Sequence, residues 1–251
     1  MALQGLNKIL SLALTASLIG CASEKEDFSN KTVDQIYREA QSLLRRGSYG
    51  DAAERFKDVD SYFPYTEKAS VAQVMAAYCS FKDGSYLDAI RNIDVFLRYH
   101  PAHELVPYAM YLKAVSIYVN VATVGRDSQE AKNAKKAFIE LLNRYPNSKY
   151  STDAMKRIVI LDDIISAHEL LIGKYYQKNK NALAAISRYN YIIANFPLTR
   201  SAEEACFRLI ECSRAEKLNK EASDAEDLMY QMYPNSRWVK ILKSRKNSAA
   251  N

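Results

Sequence analysis

One stretch of the chain is written twice. GSYGDAAERFKDVDSYFP at 47–64 returns as GSYLDAIRNIDVFLRYHP at 84–101, with glycine, serine, two tyrosines, aspartate, alanine and the closing proline all at an offset of 37. A period of that size belongs to stacked helical units, each too small to bury its apolar face alone. A chain built this way is expected to be a scaffold that binds other molecules, and not an enzyme.

The period can be followed through the rest of the chain from one alanine. Ala52, Ala89, Ala134, Ala185 and Ala222 each stand twelve residues before a proline, namely Pro64, Pro101, Pro146, Pro197 and Pro234. Four residues after the alanine come Phe56, Ile93, Phe138, Tyr189 and Glu226; seven after it come Val59, Phe96, Leu141, Ile192 and Met229. Positions 0, 4 and 7 share one helical face, so these residues form the buried stripe of a second helix in each unit, with the alanine admitting a close neighbour. The proline ends that helix. Ala40, Ala77, Ala114 or Ala122, and Gly173 are the small inner contacts of the first helices, and Gly47 and Gly84 carry the turns. Seven Gly and six Pro in 251 residues leave little punctuation, which favours helix over sheet.

These spacings resemble the tetratricopeptide repeat. The expected fold is all-α, a superhelical array of about five tetratricopeptide helix pairs. Anchor intervals of 37, 45, 51 and 37 contain two insertions. The first is assigned to a loop at 120–129, the second to a lengthened first helix within 151–177 that divides the array. Repeat five departs from the pattern at Ile210 and Glu226, as a capping repeat does.

Before the repeats, one lysine (Lys8) precedes an apolar run, ILSLALTASLIG at 9–20, which is too short to span a bilayer. This is the pattern of an export signal. Leu18-Ile19-Gly20-Cys21 resembles the bacterial lipobox, in which the cysteine is acylated; the alternative is an ordinary signal with Cys21 a bystander. Ala22 stands where an aspartate would favour inner-membrane retention, so the outer membrane is expected. The organisation expected is therefore a lipoprotein signal peptide over 1–20, a lipid-anchored tether over 21–31, repeats one to three over 32–148, a long helix with repeats four and five over 149–237, and a basic tail over 238–251. Export places the remaining Cys79, Cys206 and Cys212 in an oxidising compartment. Cys206 and Cys212 lie on different helix faces and cannot easily pair, so all three are read as small buried residues.

The residues offer no catalytic constellation. His168-Glu169 lacks a second histidine, Asp162-Asp163 is read as a solvated mid-helix pair, and neither Cys-x-x-Cys nor His-x-x-x-His occurs. Neither a metal nor a cofactor is expected beyond the lipid on Cys21. The net charge of +6 is spread through the helices, apart from KSRKN at 243–247, and nucleic acid is not an expected partner. The concave face of such an array is lined by first helices. Its expected lining is Tyr37 and Leu44, then Val71, Val74, Tyr78 and Phe81, then Tyr108, Tyr111 and Tyr118, with Arg45 and Lys82 at the edge. Tyrosine offers apolar area with a polar tip, suited to an extended peptide ending in an aromatic and a carboxylate; the same tyrosines could equally seal neighbouring helices.

Five segments are more specific than the repeats: LIGC at 18–21, YHPAHELVPYAMYLKA at 99–114, VGRDSQEAKNAKKAF at 124–138, RYPNSKYSTDAMKR at 144–157 and GKYYQKNKNALAAISRYNYIIANFP at 173–197. Together they resemble the BamD (ComL) family of tetratricopeptide lipoproteins, which serve the outer-membrane β-barrel assembly (BAM) machinery, across nearly the whole chain after the leader. The resemblance implies an outer-membrane anchor facing the periplasm and an adaptor role. It implies C-terminal repeats that bind the BamA barrel protein and other BAM lipoproteins, and N-terminal repeats that receive unfolded β-barrel proteins. A basic residue in the second helix of repeat four contacts BamA in that family, and AAISRYN at 184–190 puts Arg188 there. The rival reading is a periplasmic tetratricopeptide lipoprotein that recruits cell-wall enzymes.

Overall fold

The computed structural model describes residues 30–124 and 128–250. Cys21 and the leader lie outside the described residues. Among those described the chain forms eleven helices. The first helices are α1 (Val33–Arg45), α3 (Glu67–Lys82), α5 (Val106–Val124), α7 (Ser151–Lys178) and α9 (Arg200–Ala215). Each is followed by a second helix: α2 (Tyr49–Tyr62), α4 (Tyr86–Tyr99), α6 (Ser128–Arg144), α8 (Ala182–Asn195) and α10 (Asn219–Met232). A last helix, α11 (Arg237–Ala250), closes the array. The fold is an all-α array of tetratricopeptide helix pairs.

The helix ends follow from local chemistry. Thr32 and Gln35 form a reciprocal capping box at the start of α1, while Thr66, Asn181 and Thr199 cap α3, α8 and α9 by accepting an amide three residues on. Thr66 and Thr199 each follow two residues behind a helix-ending proline, so the stop of one repeat and the start of the next are one short segment. Between first and second helices the chain turns through the left-handed region, at Gly47 (φ 78°) and Gly84 (φ 84°). In repeats four and five the same turn is made by Lys180 and Lys217, both at φ 59°. The amide one residue later bonds back to the helix in all four turns: Ser48 to Leu43, Ser85 to Ser80, Asn181 to Tyr176 and Leu218 to Ser213, at 2.8–3.1 Å.

The stripe residues fill the interior. Ala52, Ala89, Ala134 and Ala185 have no exposed surface and Ala222 has 4%. Phe56, Ile93, Phe138 and Tyr189 are likewise fully buried, as are Val59, Phe96, Leu141, Ile192 and Met229. In repeat three Ala114, on α5, is fully buried. Gly173 leaves room for a ring: a Cβ there would lie 2.5 Å from Cε1 of Tyr189. The helix α7 joins two cores, giving Ala154, Leu161 and Ile165 to the middle one and Leu170 to the last.

Three expectations need correction. Of the insertion assigned to a loop at 120–129, residues 120–124 and 128–129 are helical instead, while 125–127 lie outside the described residues. Helix α5 continues to Val124 and α6 already begins at Ser128, with Val121, Ser128 and Ala131 buried. Neither helical part contains Gly or Pro, and burial of these side chains outweighs the weak propensity of Val and Thr. Residues 238–251 do not begin as a tail either: Trp238 stacks on Phe207 at 4.6 Å, and Val239 and Leu242 are buried against α9. The basic residues there serve the fold, Arg245 pairing with Glu211 at 2.7 Å and Lys246 approaching Glu226 at 3.8 Å. Lastly, Val74, expected on the concave face, is 1% exposed and belongs to the core.

Cys79, Cys206 and Cys212 are free and buried, and burial pushes their thiols up, that of Cys206 to about 12. Glu226 of repeat five stands where other repeats bury an aromatic or aliphatic side chain. It is matched there by Arg214 at 2.5 Å and the Tyr230 hydroxyl at 3.0 Å.

Candidate functional site

Two surfaces gather the residues singled out in the sequence, and α7 contributes to both. The first is a run of tyrosines. Tyr78 and Phe81 on α3, with Tyr108, Tyr111 and Tyr118 on α5, are half-buried along the central core, and Tyr37 on α1 sits edge-on to Phe56 beside the first core. Across from α5, the start of α7 supplies three residues that sequence reasoning did not name. Tyr150 stacks on Tyr111 with centroids 4.8 Å apart and lies 5.7 Å from Tyr108. Asp153 accepts a hydrogen bond from the Tyr111 hydroxyl at 2.7 Å and one from Nε of Arg157 at 2.5 Å. The Arg157 guanidinium in turn lies 4.8 Å over the Tyr118 ring. Burial and the hydrogen bond to Asp153 raise the pKa of Tyr111. Burial pulls the Asp153 carboxyl upward, but the bonds from Arg157 and Tyr111 outweigh it and hold that carboxyl below its ordinary value.

Tyr111 and Tyr118 rest on the buried Phe138, at 6.4 and 6.3 Å, and both remain partly exposed. Of the expected edge cations, Lys82 lies over the ring of Tyr49 on α2 at 5.5 Å. The surface is aromatic with paired charges, and nothing on it is arranged to move a proton or attack a bond.

The second surface is a cleft between α6 and α8, floored by α7, with a volume of about 290 Å³. Arg188, on α8, does not line the cleft itself but is joined through Glu169 to Lys132, which does. Nη1 of Arg188 donates to Oε2 of Glu169 at 3.0 Å, and the other oxygen of the same carboxylate accepts from Nζ of Lys132 on α6, also at 3.0 Å. The Glu169 side chain is only 4% exposed, against 42% for Arg188 and 36% for Lys132. Further along, Lys135 meets Asp162 at 2.5 Å and lies 5.0 Å over the Phe196 ring, and Lys136, Ile139 and Tyr191 complete the walls. Asp162 is thus paired instead of solvated, while Asp163 is exposed. Hydrogen bonds between ionised groups, spread over three helices, fix this arrangement more firmly than exposed ion pairs within one helix.

Glu169 and Lys132 were missed as functional residues, although a signal existed. Glu169 lies four residues before the inner contact Gly173, the position occupied by the buried Ile36 in repeat one and Met110 in repeat three. An acid in a buried register should have prompted a search for its cations. Among the described residues no group of three or more His, Cys, Asp or Glu could hold a metal ion, and no helix is long and apolar enough to cross a membrane.

A family model described as YfiO, outer membrane lipoprotein, matches residues 29–228. The chain is 34% identical over 238 residues to the outer membrane protein assembly factor BamD of Rickettsia prowazekii, covering 93% of this chain and 94% of that one. It is 31% identical to the BamD of Caulobacter vibrioides, over 92% of this chain and 77% of that one. With the BamD of Neisseria meningitidis serogroup B it shares 30% identity, over 92% and 93% of the two chains.

Proposed function

The chain belongs to the YfiO family of outer membrane lipoproteins, and from that premise we propose that it works as a non-catalytic adaptor subunit of the outer-membrane β-barrel assembly machinery. The observation that carries this reading is coverage. Relatives named outer membrane protein assembly factor match more than nine-tenths of this chain, and the family model spans the residues of both surfaces. In this reading Cys21 carries the lipid that holds the chain on the outer membrane, facing the periplasm, and stable anchoring is expected because lipoprotein acylation adds several chains. Arg188, beside the α6–α8 cleft, contacts a BamA-type barrel protein, and other lipoproteins of the machinery dock on the C-terminal repeats. Unfolded β-barrel proteins are received on the tyrosine surface, where ring edges accept an aromatic side chain and Arg157 or Lys82 meets a terminal carboxylate.

Depletion of the protein tests the role as a whole. Loss of outer-membrane barrels with cell-wall composition unchanged is the expected outcome; altered wall composition with normal barrels would instead support a scaffold that recruits cell-wall enzymes. For the substrate surface, replacing Tyr111 and Tyr118 together by alanine is expected to lower crosslinking to peptides taken from barrel C-termini. Unaffected crosslinking would leave the two rings a packing role alone.

A further inference from the structure

Glu169 is a carboxylate where the fold has no need of one. Its register is filled by Ile36 in repeat one and Met110 in repeat three, both buried, and by the half-buried Gln73 in repeat two, so a neutral side chain closes this contact elsewhere in the same array. Taking a carboxylate out of water is costly, and exchanging a buried ion pair for well-packed apolar groups is often neutral or stabilising. What isoleucine or methionine cannot do is hold two cations. We propose that Glu169 is a positioning residue: from beside the α6–α8 cleft it fixes Arg188 and Lys132 as a preset pair of cations for an acidic segment of the partner protein. The proposal rests on the reading of Arg188 as a partner contact and adds to it the residues that aim it and the chemistry of what it meets.

The geometry supports each part. The two oxygens of Glu169 are taken by different helices, Oε1 by Lys132 of α6 and Oε2 by Arg188 of α8, each at 3.0 Å. The carboxylate is 4% exposed, so its hold on both cations is poorly screened by water or salt. The cations are 36% and 42% exposed, and a guanidinium with one N–H engaged still has several to offer. Two positive charges share one negative charge beside the cleft. Deeper in the cleft Lys135 is neutralised by Asp162, while Lys136 adds another positive charge to the wall. The excess is positive, which a partner carboxylate between Arg188 and Lys132 would complete. Immobilising one long side chain costs roughly 0.5–1.5 kcal/mol at binding, so a preset Arg188 should tighten association by about 2- to 10-fold.

A double-mutant cycle tests this with the mature chain and the soluble periplasmic domains of its BamA-type partner. The variants are Glu169→Met, Arg188→Ala and their combination; the readouts are the dissociation constant and the thermal midpoint of the chain alone. The expected result is a loss of about 2- to 10-fold for Glu169→Met in the native background and a smaller further loss in the Arg188→Ala background, where Glu169 has only Lys132 left to position, with the midpoint held or raised, as Met110 in the same register suggests. Equal losses in both backgrounds would show that Glu169 acts only through the fold and would overturn the proposal. So would an unchanged constant for Glu169→Met while Arg188→Ala weakens binding, and that result would leave the Arg188 reading standing. An unchanged constant for Arg188→Ala alone would remove that reading and the proposal with it. Should Glu169→Met not fold, Glu169→Gln enters the same cycle, with Glu169→Asp expected to recover part of the affinity because it keeps the charge.

Discussion

Where α7 begins, Tyr150, Asp153 and Arg157 meet the tyrosines of α5 with stacked rings and hydrogen bonds, and the Arg157 guanidinium is matched by Asp153. Near the other end of the same helix, Glu169 is buried beneath two cations drawn from α6 and α8, and positive charge is left over there. The first surface is aromatic, which in the proposed function suits segments that vary in sequence and share apolar side chains. The second carries two cations on one buried carboxylate, which in the proposal above suits one acidic counterpart held in one register. A single long helix thus contributes to two surfaces of different chemistry.

The comparison can be broken at several points. Phe138→Ala removes the fully buried ring under Tyr111 and Tyr118, and a loss of about 3–5 kcal/mol of stability is expected in urea denaturation. A much smaller loss would mean that the tyrosine surface does not depend on the core beneath it. Arg188→Glu sets a second carboxylate against the buried Glu169, and association with the BamA-type partner is expected to weaken by about 2–5 kcal/mol while the circular dichroism spectrum stays helical. Unchanged co-purification would strike Arg188 from the partner contacts.

Gly173→Ala forces a methyl group to within 2.5 Å of the Tyr189 ring. The strain, about 1–3 kcal/mol, is expected to exceed the gain of roughly 1 kcal/mol in helix propensity. Adding Tyr189→Leu should return part of the loss, and a stabilised single variant would show the seat to be looser than the geometry says. Tyr111→Phe deletes the hydrogen bond to Asp153, for a loss of about 0.5–1.5 kcal/mol at neutral pH. Because Asp153 has a lower pKa folded than its ordinary 3.8, its contribution is present above that pH and fades as pH falls through the folded value. The gap between the native chain and Tyr111→Phe should therefore close in acid, and a gap constant down to that range would contradict the hydrogen bond.

The smallest change contrasts the turns. Gly47 and Gly84 adopt positive φ freely, whereas Lys180 and Lys217 hold it with a side chain in place. Lys180→Gly is expected to stabilise by about 0.5–1 kcal/mol in thermal unfolding, and a loss would mean that the lysine side chain repays the strain locally.

The array itself was legible because its signal is periodic. Ala52, Phe56 and Val59 recur in kind at Ala89, Ala134 and Ala185, and residues four and seven apart must share a helical face whatever surrounds them. The extension of α5 and α6 through most of 120–129 was misread as loop, since an interval longer than its neighbours says how many residues are added and not what form they take. Helix α11 was misread as tail because its basic residues looked solvated, while the anions that match them, Glu211 and Glu226, come from the two preceding helices. Arg188 was legible only through a resemblance, and Glu169 not at all as its partner.

The repeat length, the buried stripe, the breaks in the period and the acidic residue in an apolar register were all determined by the sequence alone, because each follows from spacing along one helix. Which cation meets Glu169, and which ring stands over Phe138, depended on how separate helices come to lie side by side. Ion pairs and ring contacts act over a few ångströms, and residues 132, 169 and 188 reach that range only after the array has closed around α7.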